Sequence, residues 1–103
     1  MALVLRACCA LMWVALSMGL PACAGAPVQE MSNARQAIKA ARDAGADKVA
    51  PSVMSEAQTL LQRAETSLQR RAYRDARRAA IEARGKASEA LEAVQLGERN
   101  GAG

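Results

Sequence analysis

Alanine at helical spacing is the feature that most restricts how this chain folds. From Tyr73 to Val94, small residues recur every three or four positions, at Ala76, Ala80, Ala83, Ala87 and Ala90. This spacing places them on one face of an α-helix, in a seam close to a heptad repeat. Because these side chains are methyl groups, we expect neighbouring helices to approach at the near end of the usual separation, about 8–10 Å. β-Branched and aromatic residues, which favour strands, are scarce, so the fold class is predicted to be all-α.

Two stretches upstream show the same period. The first predicts a helix over residues 33–44, because an apolar stripe recurs at Met31, Ala34, Ala37/Ile38 and Ala41. Ser32 suits its N-cap, and Gly45 suits the position just after its end. The second predicts a helix over 51–70 that begins with Pro51. Its apolar stripe consists of Val53, Ala57, Leu60, Leu61, Ala64 and Leu68.

The junction between the second and third helices admits two interpretations. Residues 52–84 contain no Gly or Pro, so one long rod is an alternative. However, a 3.6-residue period continued from Leu68 reaches Asp75, whereas the observed seam passes through Tyr73 and Ala76. We therefore favour a turn near residues 69–71 and a third helix over 73–96. The prediction is a small Ala-rich antiparallel helical hairpin or three-helix bundle.

Residues 1–22 are typical of an export signal rather than of a folded element. Arg6 is followed by an uncharged run of 14 residues, Ala7 to Leu20, which is shorter than the ~20 residues that a spanning helix needs. The run ends in Leu20-Pro21-Ala22-Cys23, which resembles the lipobox of bacterial lipoproteins. That resemblance implies cleavage before Cys23 and acylation of this cysteine, which becomes the first residue of the mature chain and its lipid attachment site.

Two other fates of the leader fit the same residues. The tripeptide at 22–24 also matches an A-x-A site, where ordinary signal peptidase releases a soluble protein that begins at Gly25. Retention of the leader as an uncleaved anchor is the third interpretation. Cysteine usage favours lipidation, because the other two cysteines leave with the leader and Cys23 would otherwise be a single thiol in an oxidising compartment. Ala24, in place of the Asp that retains enterobacterial lipoproteins in the inner membrane, then implies the outer membrane.

Removal of residues 1–22 leaves 81 residues with 13 basic and 10 acidic side chains, a net charge of +3. Of these residues 20 are Ala, and only 14 are large and apolar. Because only a few large side chains are available, the domain buries little apolar area. We therefore expect marginal stability and a tendency to self-associate. Residues 23–31 are predicted to form a tether, 32–96 a helical domain and 97–103 a disordered tail.

Several short segments of the mature chain match one pattern. They are Ala-Arg-x-Ala-Ile-x-Ala-Ala at 34–41, Ala-Gly-Ala at 44–46, Val-Ala-Pro at 49–51 and Tyr-Arg-Asp-Ala-Arg-Arg at 73–78. In these segments the chain resembles the bacterial domain of unknown function 4398 family, found in lipoproteins and ahead of OmpA-like domains. The resemblance implies an inter-helix turn that usually reads Gly-Asp-Tyr-x-x-Ala, and Arg71-Ala72 stand here in place of Gly-Asp.

No arrangement of side chains suited to catalysis is recognisable in the sequence. The chain has no His, which removes the commonest general base and metal ligand. Its carboxylates alternate with Arg and Lys on helix faces, as on a solvated surface. We therefore predict no enzymatic activity, no cofactor and no metal. An exported protein also has no access to nucleic acid, so nucleic acid is not an expected partner.

One charged feature stands out: five arginines fall within nine residues, at Arg70, Arg71, Arg74, Arg77 and Arg78. In one interpretation their stems cover alanine surface and favour helix, without a partner. In the other, three of them surround an outward-pointing Ile81 and form a docking face for an anionic partner. Such a partner is lipopolysaccharide phosphate, an anionic lipid headgroup or an acidic protein.

These features together predict a non-catalytic cell-envelope lipoprotein, anchored by lipid and facing the periplasm. Its expected role is that of a helical adaptor or structural module that contacts the membrane and another envelope component. The alternative is a soluble periplasmic binding or chaperone-like module, and the two differ in the processing of Cys23.

Overall fold

The computed structural model describes residues 25–101, and all regular structure in this part of the chain is helical. Four helices follow one another: α1 at Val28–Asp43, α2 at Ala46–Val49, α3 at Pro51–Gln69 and α4 at Tyr73–Gly101. Because α2 is a single turn, three long helices form the bundle. The all-α prediction is confirmed. The predicted leader and Cys23 lie outside the described residues.

Helix α1 begins earlier than predicted, within the expected tether. Pro27 occupies its N-cap position, and the Pro27 side chain is buried. The amide of Met31 donates to the Pro27 carbonyl at 3.0 Å, and Met31 is 2% exposed. Burial of Met31 holds this first turn against the bundle, which is why residues 28–31 are helical. Ser32, the predicted N-cap, lies inside the helix, where its hydroxyl accepts a hydrogen bond from Gln36 at 3.2 Å.

Gly45 and Pro51 shape the connection from α1 to α3. Gly45 has a φ of +92°, and its amide donates to the Arg42 carbonyl at 2.9 Å, which closes α1. The glycine is needed here because side chains with a Cβ disfavour this left-handed region. Helix α2 lies between the helices predicted over 33–44 and 51–70, and Pro51 takes the first position of α3 as expected. Its missing amide hydrogen costs nothing there, because that amide would have no partner within the helix.

A tight turn separates α3 from α4. The Ala72 amide donates to the Ser67 carbonyl at 2.9 Å, and the Arg71 amide donates to the Leu68 carbonyl at 3.0 Å. These two bonds are those of a Schellman motif, which places a left-handed residue just after the helix. Arg71 takes that position with a φ of 60°. The two helices are therefore not one rod, and an arginine occupies a conformation that glycine adopts more readily.

Helix α4 continues past its predicted end at residue 96 to Gly101. The prediction of a disordered tail from residue 97 is therefore wrong for the described part of that tail. Gly97 costs the helix about 1 kcal/mol relative to Ala, but extension of an existing helix adds one hydrogen bond per residue. A single glycine in an already formed helix is thus insufficient to end it.

The bundle runs up, down and up, so α1 and α4 are parallel and α3 is antiparallel to both. One core cluster joins residues from all three long helices: Met31, Ala34, Ala64, Ala79, Ala80 and Ala83. The second cluster also includes α2 and consists of Ile38, Ala41, Ala46, Met54, Ala57, Ala87, Ala90 and Val94. We call residues 25–36 and 59–84 the tether half, because the described chain begins there. Residues 37–58 and 85–101 form the distal half.

Alanine dominates both clusters. Among the described residues, 15 hydrophobic side chains are buried and 11 of them are Ala. The predicted seam on α4 is buried from Ala76 to Val94, and Tyr73 at its start is half-buried. In α3 the buried large residue is Met54, at 1% exposed, whereas Val53 of the predicted stripe is half-buried. The helices therefore meet mainly through alanine methyl groups. The larger buried side chains are Met31 in the tether half and Ile38, Met54 and Val94 in the distal half.

Candidate functional site

The five arginines singled out in the sequence lie at one end of the bundle. Arg70 is the C-cap of α3, Arg71 is the left-handed residue of the turn, and the other three lie in the first two turns of α4. Of the five, only Arg77 is half-buried, and the others are exposed. The four exposed arginines form no ion pair with any of residues 25–101. Their charges therefore face solvent.

Three of these arginines line one open groove on α4. Arg74, Arg77 and Arg78 surround Ile81, with Glu82 at the edge of the groove. Positions three, four and seven apart share one helix face, so a single face presents three guanidinium groups around one aliphatic side chain. Ile81 is 55% exposed and belongs to neither core cluster. The structure places Arg70 and Arg71 in the nearby turn, outside the groove lining.

Arg77 connects this groove to the beginning of the described chain. Its Nε lies 3.3 Å from Glu30 Oε1, and its Nη2 donates to the Gly25 carbonyl at 3.4 Å. Arg77 also lines a second groove together with Val28, which is 71% exposed. The beginning of the described chain is therefore held against the arginine groove. In the sequence, Gly25 follows Cys23 by two positions.

The net charge is distributed unequally between the two halves. The tether half carries eight basic and four acidic side chains, a net charge of +4. The distal half carries five basic and six acidic side chains, a net charge of −1. The excess positive charge of the described chain therefore lies entirely at the end where the described chain begins.

Helix dipoles explain only some of these arginines. Arg70 and Arg71 lie at the C-terminal end of α3, where the partial negative charge of the helix favours cations. Arg74 lies in the first turn of α4, where the partial positive charge disfavours a cation. Arg77 is offset by Glu30, whereas Arg74 has no such partner among residues 25–101. Neither the helix dipole nor an ion pair within residues 25–101 therefore accounts for Arg74.

Lys86 forms the principal charged contact of the distal half. Its Nζ lies 3.2 Å from Glu56 Oε2 on α3 and 3.2 Å from Glu89 Oε2 on α4. These carboxylates, Glu56 first, raise the pKa of Lys86 above its ordinary value. The sequence instead favours an i,i+4 pair between Glu82 and Lys86, and the structure does not form it. The carboxylate of a neighbouring helix takes its place.

Three other kinds of feature are absent from the part of the chain that the structure describes. Residues 25–101 contain no group of three acidic or cysteine side chains placed to hold a metal ion. In the same range, no polar or charged residue is buried. Of the helices that the structure describes, none is long and apolar enough to cross a membrane. The arginine groove is a surface where three cations surround one exposed aliphatic side chain.

Sequence reasoning missed two partners of the arginine groove, Glu30 and the Gly25 carbonyl. They lie 47 and 52 positions from Arg77 along the chain. No short-range pattern links such distant residues. Only a model of α1 packed parallel to α4 brings them together.

Comparison with known proteins gives one match. A family model described as Domain of unknown function (DUF4398) matches residues 29–101. No curated protein and no solved structure matches the chain. The matched range extends from the first turn of α1 to the end of α4 and covers most of the 103 residues. The chain therefore belongs to the DUF4398 family.

Proposed function

We propose that this protein is a non-catalytic lipoprotein of the bacterial cell envelope, anchored through Cys23 at the periplasmic face of the outer membrane. The observation that carries the proposal is the lipobox-like sequence at residues 20–23, directly after an uncharged run. The contact between Arg77 and the Gly25 carbonyl supports it, because a lipid on Cys23 then holds the domain directly at the membrane surface. Several acyl chains on one residue give firm anchoring, whereas a single chain is marginal.

The proposed role is that of a helical adaptor or structural module that acts through its surface. Acid–base catalysis relies on ionisable groups held in a shaped pocket. Among residues 25–101 every ionisable side chain is at least partly exposed, and the grooves on the surface are open. This arrangement favours binding over catalysis. A second envelope component is the expected partner of the bundle.

Lipid attachment is tested by labelling cells with a radioactive or clickable palmitate analogue. We expect the mature protein to carry the label, to fractionate with outer membranes, and to accumulate as a precursor when globomycin blocks lipoprotein signal peptidase. Cys23→Ser is expected to abolish labelling. Cys8→Ser and Cys9→Ser are the matched controls, because both cysteines lie in the leader, and they are expected to leave labelling unchanged.

The alternative is a soluble periplasmic module, and the match of residues 22–24 to an A-x-A site favours it. In that case the mature protein begins at Gly25, carries no lipid and is released by osmotic shock. N-terminal sequencing together with mass spectrometry separates the two outcomes. An unlabelled protein that begins at Gly25 contradicts the lipoprotein proposal.

A further inference from the structure

We propose that the arginine groove is a membrane-contact face, which binds anionic phospholipid headgroups of the same membrane that holds the lipid on Cys23. This inference rests on the proposed lipid anchor and adds a second contact to it. The face consists of Arg74, Arg77, Arg78 and Ile81 on α4, with Val28 of α1 beside it. It orients the bundle, so that the tether half lies on the membrane and the distal half points away from it.

The side chains of the face have the composition that suits a headgroup region. Ile81 and Val28 are 55% and 71% exposed, and both lie next to Arg77. An exposed aliphatic side chain ringed by cations inserts its apolar part below the phosphates while the guanidinium groups bind them. Arg74 and Arg78 are exposed and unpaired within residues 25–101, so binding a phosphate requires no ion pair to break.

The described chain begins beside the arginine groove, which favours contact between this groove and the membrane. The Gly25 carbonyl accepts a hydrogen bond from Arg77, so the chain enters the bundle beside the groove. In the sequence, Gly25 follows Cys23 by two positions, and a two-residue link reaches no further than about 8 Å, which is shorter than one helix of the bundle. A lipid on Cys23 therefore brings the headgroup layer to the groove at high effective concentration.

The charge distribution favours an anionic surface over a neutral one. The tether half has a net charge of +4 and the distal half −1. Each basic side chain near an anionic bilayer adds to the attraction, and the effect decays within a Debye length, about 8 Å at physiological salt. Only the tether half is close enough to the bilayer, and positive enough, to be attracted to it in this way.

Fluorescence quenching by spin-labelled lipids tests which half of the bundle contacts the membrane. The mature lipoprotein is reconstituted into phosphatidylcholine vesicles with or without phosphatidylglycerol. It carries a single fluorophore on Ile81→Cys, which spin-labelled lipids quench. Val49→Cys is the matched control, because Val49 is 53% exposed against 55% for Ile81 but lies in the distal half. We expect strong quenching at position 81 in the anionic vesicles and little at position 49.

Removal of two cations tests the ionic part of the contact. The double variant Arg74→Gln with Arg78→Gln is expected to lower the ratio of docked to undocked domain about 30-fold. Arg77 is kept, because it also holds Gly25. Lys48→Gln with Arg99→Gln removes the same charge from exposed sites of the distal half and is expected to leave quenching unchanged. Circular dichroism checks that each variant keeps its helix content.

Different outcomes overturn different parts of the argument. A lipidated protein that floats with the vesicles but is quenched equally at positions 81 and 49 overturns the membrane-contact face alone. Quenching at position 81 that is the same in purely neutral vesicles, or that survives loss of Arg74 and Arg78, also overturns it. A mature protein that carries no lipid and does not float with neutral vesicles overturns the proposed anchor and the contact face together.

Discussion

The tether half and the distal half of the bundle use the same packing but present different surfaces. Each half buries one methionine, Met31 or Met54, among alanines contributed by α1, α3 and α4. Each half also has an ion pair from α4 to a neighbouring helix, Arg77 to Glu30 in one and Lys86 to Glu56 in the other. The surfaces diverge, because the cluster of exposed arginines that form no ion pair with residues 25–101 lies in the tether half. Alanine-rich packing therefore recurs along the whole bundle, whereas the arginine groove lies at one end of it.

The largest expected effects come from the two buried methionines. Met31→Ala and Met54→Ala each remove a side chain that is 2% or 1% exposed, and each is expected to lower the free energy of unfolding by about 2–5 kcal/mol. Because α4 spans both clusters, we expect similar losses and a single urea transition for each variant, followed by circular dichroism. Two separate transitions in either variant would show that the halves unfold independently.

Replacement of a seam alanine by leucine is expected to have the next largest effect on stability. Ala83→Leu in the tether half and Ala87→Leu in the distal half place bulk where the native side chain is 0% exposed. Each is expected to cost about 1–3 kcal/mol, because the helices are forced apart. Ser88→Leu, at an exposed position of the same helix, is the control and is expected to change stability by less than about 0.5 kcal/mol. Equal effects at all three positions would contradict close packing along the seam.

Two glycines are expected to respond in opposite directions to the same substitution. Gly45 has a φ of +92°, so Gly45→Ala is expected to destabilise the distal half by about 1–2 kcal/mol. Gly85 lies at the boundary between the halves, with open space where a Cβ would be, so Gly85→Ala is expected to stabilise the bundle by about 0.5–1 kcal/mol. Thermal unfolding measures both. A loss of stability in Gly85→Ala would contradict its position on the open face of α4.

The α3–α4 turn offers a smaller gain in the tether half. Arg71→Gly relieves a left-handed arginine with a φ of 60°, and the higher entropy of glycine in the unfolded chain offsets part of that relief. We expect a net stabilisation of up to about 1 kcal/mol. Arg70→Gly is the control, since Arg70 has an ordinary φ of −83° and gains nothing. Destabilisation by Arg71→Gly would show that the Arg71 side chain contributes a contact that outweighs the strain.

The smallest expected effect is the pH dependence of the distal ion pair. Glu56 and then Glu89 raise the pKa of Lys86 above 10.5, so its contribution is complete below that pH and is lost as the pH rises through the higher value in the folded state. Thermal unfolding should therefore show a small destabilisation in Lys86→Gln near neutral pH. The difference from the unsubstituted chain should shrink above pH 10.5. A difference that does not change with pH would show that packing of the lysine stem, rather than its charge, is responsible.

Periodicity predicts the helix faces well, but two helix ends, the start of α1 and the end of α4, differ from the prediction. The stripes of α1 and α4 were predicted because burial repeats every three or four residues. The start of α1 was missed because burial of Met31 and Pro27, set by the other helices, extends it toward the N-terminus. The end of α4 was missed because Gly97 weakens a helix without ending it.

The sequence shows that the arginines of the candidate site cluster together, but it does not show which contacts each arginine makes. Five arginines in nine residues are visible in the sequence, and their spacing around Ile81 indicates a shared face. Their separation into different roles is not visible. Arg71 shapes the turn and Arg77 holds Gly25, while Arg74 and Arg78 stay unpaired among the described residues. These roles depend on contacts between helices, which arise only when α1 packs parallel to α4.

The alanine-rich core also determines how stability responds to temperature. Heat capacity rises on unfolding mainly because apolar surface meets water, and a methyl group exposes far less of it than a leucine side chain. With 11 alanines among the 15 buried hydrophobic residues of the described chain, the heat-capacity change per residue should fall below the ordinary range. The curve of unfolding free energy against temperature is then shallow. Such a bundle gains little from moderate cooling and loses little on moderate warming, so its modest stability is spread over a wide span of temperatures.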